Sequence, residues 1–422
     1  LPTVTDVFDE LTWRGLIAHS TDADALRAHL AEGPVTFYVG FDPTAPSIHM
    51  GNLVQIMLAR AMQRAGHRPI LLVGGSTGLI GDPKQAGERT MNPKEQVATW
   101  VERIREQVSR LISFDGTNGA ILANNYDWTA DLSTLDFLRD VGKHFPVNRM
   151  LDREVVKARL ESGISYTEFS YVLLQSLDYR ELFRRHGCTL QTGGSDQWGN
   201  ITAGVELIRR SEGARVHALA TPLLTKADGT KFGKTESGTV WLDAAMTSPY
   251  AFHQFFLNAE DAKVVDYLKV FSERPRDEID DIAARSAEAP HLRIAQHALA
   301  DDITDLVHSP TEREAANEAA QAIFGRGELA QLSADILLAV AKELGAAALP
   351  AGELPSVVDA LEASGVVASK SAARRAIAEG GAYLNNAKVI DANAQLTADD
   401  VLPGGVVVLR RGRRTVGAVT VT

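Results

Sequence analysis

Three observations predict an α/β protein in which a parallel sheet is followed by a helical stretch and a small α+β tail. Residues 35–39 and 69–73 are short apolar runs on either side of 53–63, where apolar positions recur at helical spacing. A helix between two strands buried on both faces makes a right-handed βαβ unit. Beyond about residue 245 the chain turns strongly helix-forming. From 355 to 422 eight Lys/Arg meet six Asp/Glu, so the tail carries +2 and the remainder −13 of a net charge of −11.

At 422 residues and 45% hydrophobic content, the chain can bury at least one large core and has room for two or three domains. Its acidity excludes a uniformly basic surface but not a local patch for nucleic acid. The single cysteine, Cys188, excludes an intrachain disulfide framework and a multi-cysteine metal site. No stretch reads as a signal peptide or membrane span, and a reducing, cytosolic setting is expected.

Taken in order, residues 1–34, with a short helix over 22–30, read as a cover for the first strand. The stretch Tyr38-Val39-Gly40-Phe41-Asp42-Pro43-Thr44-Ala45-Pro46-Ser47-Ile48-His49-Met50-Gly51-Asn52 links strand to helix. Ser47 is placed to cap that helix, and His49 falls in its opening turn. Backbone N–H groups there can seat a phosphate, although such a corner also occurs in many α/β domains. Gly74-Gly75-Ser76-Thr77-Gly78-Leu79-Ile80-Gly81-Asp82 follows the second strand. Its spacing fits neither the dinucleotide fingerprint nor a P-loop. The glycines suit a close ligand, and Asp82 either holds a cation or polar group or starts a turn.

A helix over 93–114, a strand over 120–123 and a helical stretch over 132–142 come next. Within 165–183, Tyr171, Gln175 and Asp178 stand at i, i+4 and i+7 on one helix face. A buried polar trio needs partners, which either a polar substrate or a structural network supplies. Leu190-Gln191-Thr192-Gly193-Gly194-Ser195-Asp196-Gln197-Trp198-Gly199-Asn200 is a second strand-turn-helix, whose Gln191 and Gln197 can bond a zwitterion or a sugar without adding charge. Lys226, Lys231 and Lys234 share a Gly/Thr loop with Asp228 and Phe232, suited to closing over a polyphosphate or to lying as a solvated basic hairpin. Four polar corners at strand ends suggest one composite site at the sheet's carboxyl edge.

Further on, Phe252, Phe255 and Phe256 read as packing residues, and the Ala/Gly/Pro-rich 345–355 as a linker. A basic helix over 369–381 carries Lys370 and Arg374 on one face beside Arg375, and a strand from Val406 leaves through Arg410, Arg411, Arg413 and Arg414. Two positive edges in one module favour a nucleic-acid backbone over a merely solvated surface.

Over almost its whole length the sequence resembles bacterial-type tyrosyl-tRNA synthetases. His49-Met50-Gly51-Asn52 is similar to that family's first ATP motif, with Asn in its last place, and Lys231-Phe232-Gly233-Lys234-Thr235 to its mobile second motif. Tyr38, Asp82, Tyr171, Gln175, Asp178 and Gln197 stand in its tyrosine-site context. The resemblance implies a Rossmann-like class I catalytic domain over 1–244, a helical anticodon-binding domain over 245–348, a linker over 349–355 and a ribosomal-protein-like RNA-binding domain over 356–422. It implies a cytoplasmic homodimer that uses ATP, accompanied by Mg2+, to convert L-tyrosine to tyrosyl-adenylate and pyrophosphate, then transfers tyrosine to the terminal adenosine of tRNA(Tyr) and releases AMP. No tightly bound protein metal and no membrane contact are expected.

By motif alignment the resemblance makes His49, Asn52, Lys231 and Lys234 catalytic, with Gly40, Asp42, Thr44, Gly51, Gly194, Asp196, Phe232, Gly233 and Thr235 beside them around ATP. Tyr38 and Asp178 align with contacts to the substrate phenol, and Asp82, Tyr171 and Gln175 with contacts to its ammonium group. Gln191 and Gln197 align with further polar contacts, and Lys370, Arg374, Arg375, Arg410, Arg411, Arg413 and Arg414 are expected to meet RNA. Arg89 matches a family position, whereas Lys84, in a shortened loop, has no secure counterpart. The alternatives are a non-catalytic RNA-binding protein on a synthetase shell, and tryptophan activation, disfavoured because Tyr38 and Asp178 would lack a phenol partner.

Overall fold

The strand that precedes the His49 turn sits inside its sheet, not at an edge. In chain order, β1 (His19–Ser20), β2 (Thr36–Phe41), β3 (Arg68–Val73), β4 (Ile121–Asn124), β5 (Leu190–Gly194) and β6 (His217–Thr221) form one sheet in the order β1-β6-β5-β2-β3-β4. Every pair is parallel except β1 with β6. The computed structural model describes residues 6–83, 91–235, 238–350, 352 and 354–421. Lys84 and Arg89 lie outside the described residues, as does the side chain of Thr235.

Parallel strands in the interior of a sheet are covered on both faces, which accounts for the apolar runs of β2 and β3: Phe37, Tyr38, Val39, Ile70, Leu71 and Val73 are all buried. The helices α1 (Met50–Arg64), α2 (Lys94–Leu111), α3 (Tyr166–His186) and α4 (Trp198–Glu212) pack with this sheet and with each other. β2, α1 and β3 are the expected βαβ unit. The stretch over 132–142 is broken into an α turn Thr134–Asp136, a π turn Phe137–Val141 and a 3-10 turn Gly142–His144.

By contact the chain divides into two compact units, Leu1–Asp243 with Glu260–Ala295, and Ala244–Ala259 with Gln296–Thr422. The helical domain expected over 245–348 is therefore shared between them. In the first unit, the buried guanidinium of Arg14 donates to the carbonyls of Lys269 (2.8 Å), Ser272 (2.6 Å) and Arg274 (3.0 Å) around the end of the helix Val264–Phe271. One cation thus satisfies carbonyls that a helix C-terminus leaves without partners.

The second unit centres on a five-stranded sheet of Ala387–Lys388, Ala382–Leu384, Val406–Arg411, Thr415–Val421 and Ala347–Leu349 in spatial order, the last pair parallel. Alternation along the strand sends Val407 and Leu409 into a cluster with Val357, Leu361, Ala373 and Ile377, and Val406 and Val408 into another with Ala319, Ile323, Leu337 and Val340. The uncharged run from Val406 is covered on both faces for this reason, and the linker read over 349–355 begins inside a strand. Helices before residue 345 and the basic tail share one core. Among the described residues no helix is long and apolar enough to cross a membrane.

Ending the chain after Pro355 removes one wall of that shared core, so calorimetry should lose the second unit's unfolding transition while the first unit's transition stays at its normal temperature. A second-unit transition that survives truncation would show that the helices do not depend on the tail.

Candidate active site

The carboxyl ends of β2, β3 and β5 open onto a cavity of about 810 Å³ in the first unit. Parallel pairing brings these ends to one edge, where open α/β sheets bind their ligands. Every residue assigned above to tyrosine or ATP whose side chain is described lines the cavity.

His49 itself caps α1, the role the sequence suggested for Ser47. Its Nδ1 accepts from Gly51 N (3.1 Å), while Asn52 Oδ1 accepts from His49 N (3.1 Å). A ring that accepts at Nδ1 carries its proton on Nε2. His49 is exposed by surface area, but the cavity wall partly desolvates its ring and lowers its pKa, and the charges of Lys231 and Lys234 push the same way. The imidazole is then a neutral donor at neutral pH. Ser47 Oγ instead accepts from Asp243 N (3.1 Å), and Gln107 on α2 accepts from Ile48 N (3.0 Å). Gln107 therefore holds the turn from a helix where sequence pattern marked only packing.

Three aspartates define the deep end. Asp42 accepts from Thr77 Oγ1 (2.6 Å) and Tyr171 OH (2.5 Å), which joins a residue assigned to ATP with one assigned to the amino acid. Gly74 makes room for this pair, because a Cβ there would lie 2.1 Å from Asp42 Oδ1 and 2.3 Å from Thr77 Oγ1. Asp82 accepts from Gln197 Nε2 (2.8 Å) and Asn200 Nδ2 (3.1 Å), and Arg153 in turn bonds Asn200 Oδ1. Asp178 accepts from Asn125 Nδ2 (2.9 Å) and Trp128 Nε1 (2.9 Å).

Burial pushes the Asp178 carboxyl up to about 8 even though those two donors pull it down. The Tyr38 phenol is raised well above its ordinary range, first by burial and then by the Asp178 charge. Tyr38 OH, Gln175 Oε1 and Gln191 Oε1 are buried without a hydrogen-bond partner among the described residues. Of the supporting residues, only Asn200 stood in a stretch the sequence singled out, the second strand-turn-helix, and no role was read for it there. Trp128, Arg153 and Asn200 act through contacts from distant parts of the chain. Cys188 is buried, and burial raises its thiol pKa, so it packs and does not react.

The lysine loop is a hairpin closed by Lys226 N to Thr230 O (2.8 Å) and Phe232 N to Leu224 O (2.9 Å). Lys231 and Lys234 line the cavity. Gly233 has φ +94, and a Cβ on it would come 2.6 Å from Met50 Cβ, so the loop can lie this close to the start of α1 only with glycine there. Among the described residues no three His, Cys, Asp or Glu side chains gather as a metal site.

In the second unit, Arg374, Arg375, Arg411, Arg413 and Arg414 are exposed. Lys370 is exposed but paired with Asp359 at 2.7 Å. Arg410 departs from the expectation of an RNA contact: it is 8% exposed, stacks 4.1 Å above the Tyr383 ring and donates to Gly412 O (2.6 Å). Its guanidinium braces the strand end, and the surface charge is left to its neighbours.

Residues 30–325 match the family of class I tRNA synthetases (W and Y). A parallel sheet with this cavity at its carboxyl edge is the catalytic fold of a class I aminoacyl-tRNA synthetase. Residues 339–417 match the tyrosine–tRNA ligase SYY-like C-terminal domain. The chain is 65% identical over 417 residues to a tyrosine–tRNA ligase of Cutibacterium acnes, covering 99% of this chain and 100% of that protein. It is 58% identical over 419 residues to one of Kineococcus radiotolerans, covering 99% of each. A crystal structure of a C-terminally truncated Aspergillus nidulans mitochondrial tyrosyl-tRNA synthetase matches with TM-score 0.70 at 31% identity, over 76% of this chain and 94% of that one. The chain belongs to the tyrosine–tRNA ligase family.

The raised Asp178 pKa has a sign that can be measured. Between the ordinary aspartate range and pH of about 8, the folded chain holds a proton that the unfolded chain has released. Stability therefore falls as pH rises through that window and levels off above it. Asp178→Asn should remove this slope, so that urea midpoints at pH 5 and pH 9 differ less in the variant than in the parent. An equal pH dependence in both would refute the assignment.

Proposed function

We propose that the cavity binds L-tyrosine and ATP together, joins them as tyrosyl-adenylate and delivers tyrosine to the terminal adenosine of tRNA(Tyr). As a member of its family the chain is an ATP-dependent ligase that charges tRNA with tyrosine. The observation that carries the assignment of residues is the unpartnered Tyr38 hydroxyl in a cavity shared with the buried Asp178 carboxyl. A phenol can donate to one and accept from the other, so both buried groups are satisfied at once. An indole N–H only donates, so it can pair with one of the two and leaves the other without a ligand partner.

In this reading Asp82, Tyr171 and Gln175 receive the ammonium group, with Gln191 and Gln197 completing the polar wall. Gly40, Asp42, Thr44, Gly51, Gly194, Asp196, Phe232, Gly233 and Thr235 surround ATP, which enters as its magnesium complex. A tyrosine carboxylate oxygen attacks the α-phosphorus in line. The new P–O bond forms as the bond to the bridging oxygen breaks, and pyrophosphate leaves with that electron pair. His49 Nε2–H, Lys231 and Lys234 stabilise the charge that develops on the phosphates. Asn52 keeps His49 aimed through the reciprocal cap.

Arg374, Arg375, Arg411, Arg413 and Arg414 are read as the phosphate-gripping surface for tRNA. The protein is read as a cytoplasmic homodimer.

Purified protein should catalyse tyrosine-dependent ATP/pyrophosphate exchange with little response to tryptophan; absence of exchange would favour the non-catalytic RNA-binding alternative. In single turnover, His49→Ala should slow adenylate formation by about 10²- to 10³-fold while tyrosine affinity stays constant. An unchanged rate removes His49 from the reaction. For RNA, replacing Arg411, Arg413 and Arg414 together by Ala leaves the shared core in place and should lower the slope of log affinity against log salt by about 1 for every phosphate these side chains neutralise. Filter binding with an unchanged slope would exclude these arginines from the interface.

A further inference from the structure

The lysine loop is held from outside by a residue that neither the cavity lining nor the reaction includes. Tyr267 lies on the helix Val264–Phe271, is 2% exposed, and reaches both stems of the hairpin. Its hydroxyl donates to Thr225 O on the entering stem (2.8 Å). Its ring stacks on Phe232 on the leaving stem, with centroids 4.1 Å apart and planes at 29°. Between these two points run Lys226, Asp228, Thr230 and Lys231, and Lys234 follows immediately. A third attachment comes from the same segment, where Glu260 Oε2 accepts from Ala227 N (2.6 Å).

A short two-stranded hairpin has little core of its own, so its position is set by what it leans on. Here the support is stiff, because Arg14 ties the carbonyls at the far end of the Tyr267 helix to the N-terminal part of the unit. The Tyr267 ring alone would be ordinary packing. Its hydroxyl, however, is directed to a loop carbonyl 42 residues away in sequence, and the same ring stacks on the motif's own Phe232.

We infer that Tyr267 is a positioning residue for adenylate formation: by clamping both stems of the lysine hairpin it sets where Lys231 and Lys234 stand at the His49 end of the cavity. The inference rests on the role proposed above for those lysines. Tyr267 touches no substrate, so its removal should act on the rate of the chemical step and on ATP use, and leave the tyrosine pocket alone.

The test is a mutant cycle in the full-length protein. Single-turnover adenylate formation is measured across ATP concentrations at saturating tyrosine, and tyrosine Kd is measured separately by tryptophan fluorescence. Tyr267→Phe keeps the stack and loses the hydroxyl; Tyr267→Leu loses both. The rate should fall about 3-fold in the first and about 10-fold or more in the second, with tyrosine Kd unchanged. In a background carrying Lys231→Ala and Lys234→Ala, the same substitutions should cost about 2-fold or less, because the groups they position are gone. Losses that multiply in full in that background, or Tyr267 variants that react at the parent rate, overturn the inference alone. A lysine double variant that reacts at the parent rate overturns the lysine-loop role and this inference with it. If Tyr267→Leu does not fold, Tyr267→Phe decides through the same cycle.

Discussion

β2 pairs in parallel with β3 on one side and β5 on the other, and the chemistry of the first unit depends on that double pairing. Each parallel neighbour requires a crossover that returns the chain to the same edge. The turns after β2, β3 and β5 consequently emerge together, although they begin at Asp42, Gly74 and Ser195 in the sequence. The register matters as much as the direction. Tyr38 stands opposite Ile70 on one side and Gln191 on the other, so the two polar side chains are set next to each other on adjacent strands. A slip of one residue would turn Tyr38 to the opposite face of the sheet.

Within that frame the cavity is settled electrically before any ligand arrives. Asp42, Asp82 and Asp178 each accept two hydrogen bonds from neighbouring side chains. A carboxyl group held by paired donors does not have to reorganise when a charged substrate approaches. Among the described residues that line the cavity, the atoms left over are the phenol oxygen of Tyr38 and the amide oxygens of Gln55, Gln175 and Gln191. Their cost of burial in the free protein is recovered when a polar molecule completes them, which links affinity to a specific pattern of donors and acceptors.

Much of this was legible in the sequence, because apolar runs, helical spacing and glycine corners are local signals. The β2-α1-β3 unit, the face shared by Tyr171, Gln175 and Asp178, and the lysine loop all follow from residues close together in the chain. What escaped depends on distant partners. Trp128 and Asn125 donate to Asp178, some fifty positions later, and Asn125 also bonds Ser76 and Thr77, some fifty positions earlier. Gln107 looks like any polar position on an amphipathic helix until Ile48 is placed beside it. His49 displaced Ser47 as the cap because Asn52 could return the bond, a reciprocity that residue preferences do not encode. The basic run at 410–414 reads as uniform charge, yet the alternation of the strand turns Arg410 inward onto Tyr383 and leaves Arg411 exposed. The boundary near residue 245 was visible as composition, but composition cannot tell which unit a helix joins.

That last division bears on how the protein is made. The chain leaves the first unit at Asp243, returns at Glu260 and leaves again after Ala295. During synthesis, the first unit can close only once residue 295 has cleared the ribosome. The helix Pro249–Leu257 emerges earlier than that, yet its Tyr250 belongs to the cluster with Leu337, Val406 and Ala418. An apolar helix therefore waits, without its core, until almost the last residue is translated. Contacts so far apart in sequence form slowly and leave apolar surface exposed in the interval. The nascent chain is open to aggregation, and to help from chaperones, in the interval after its active site can already have folded.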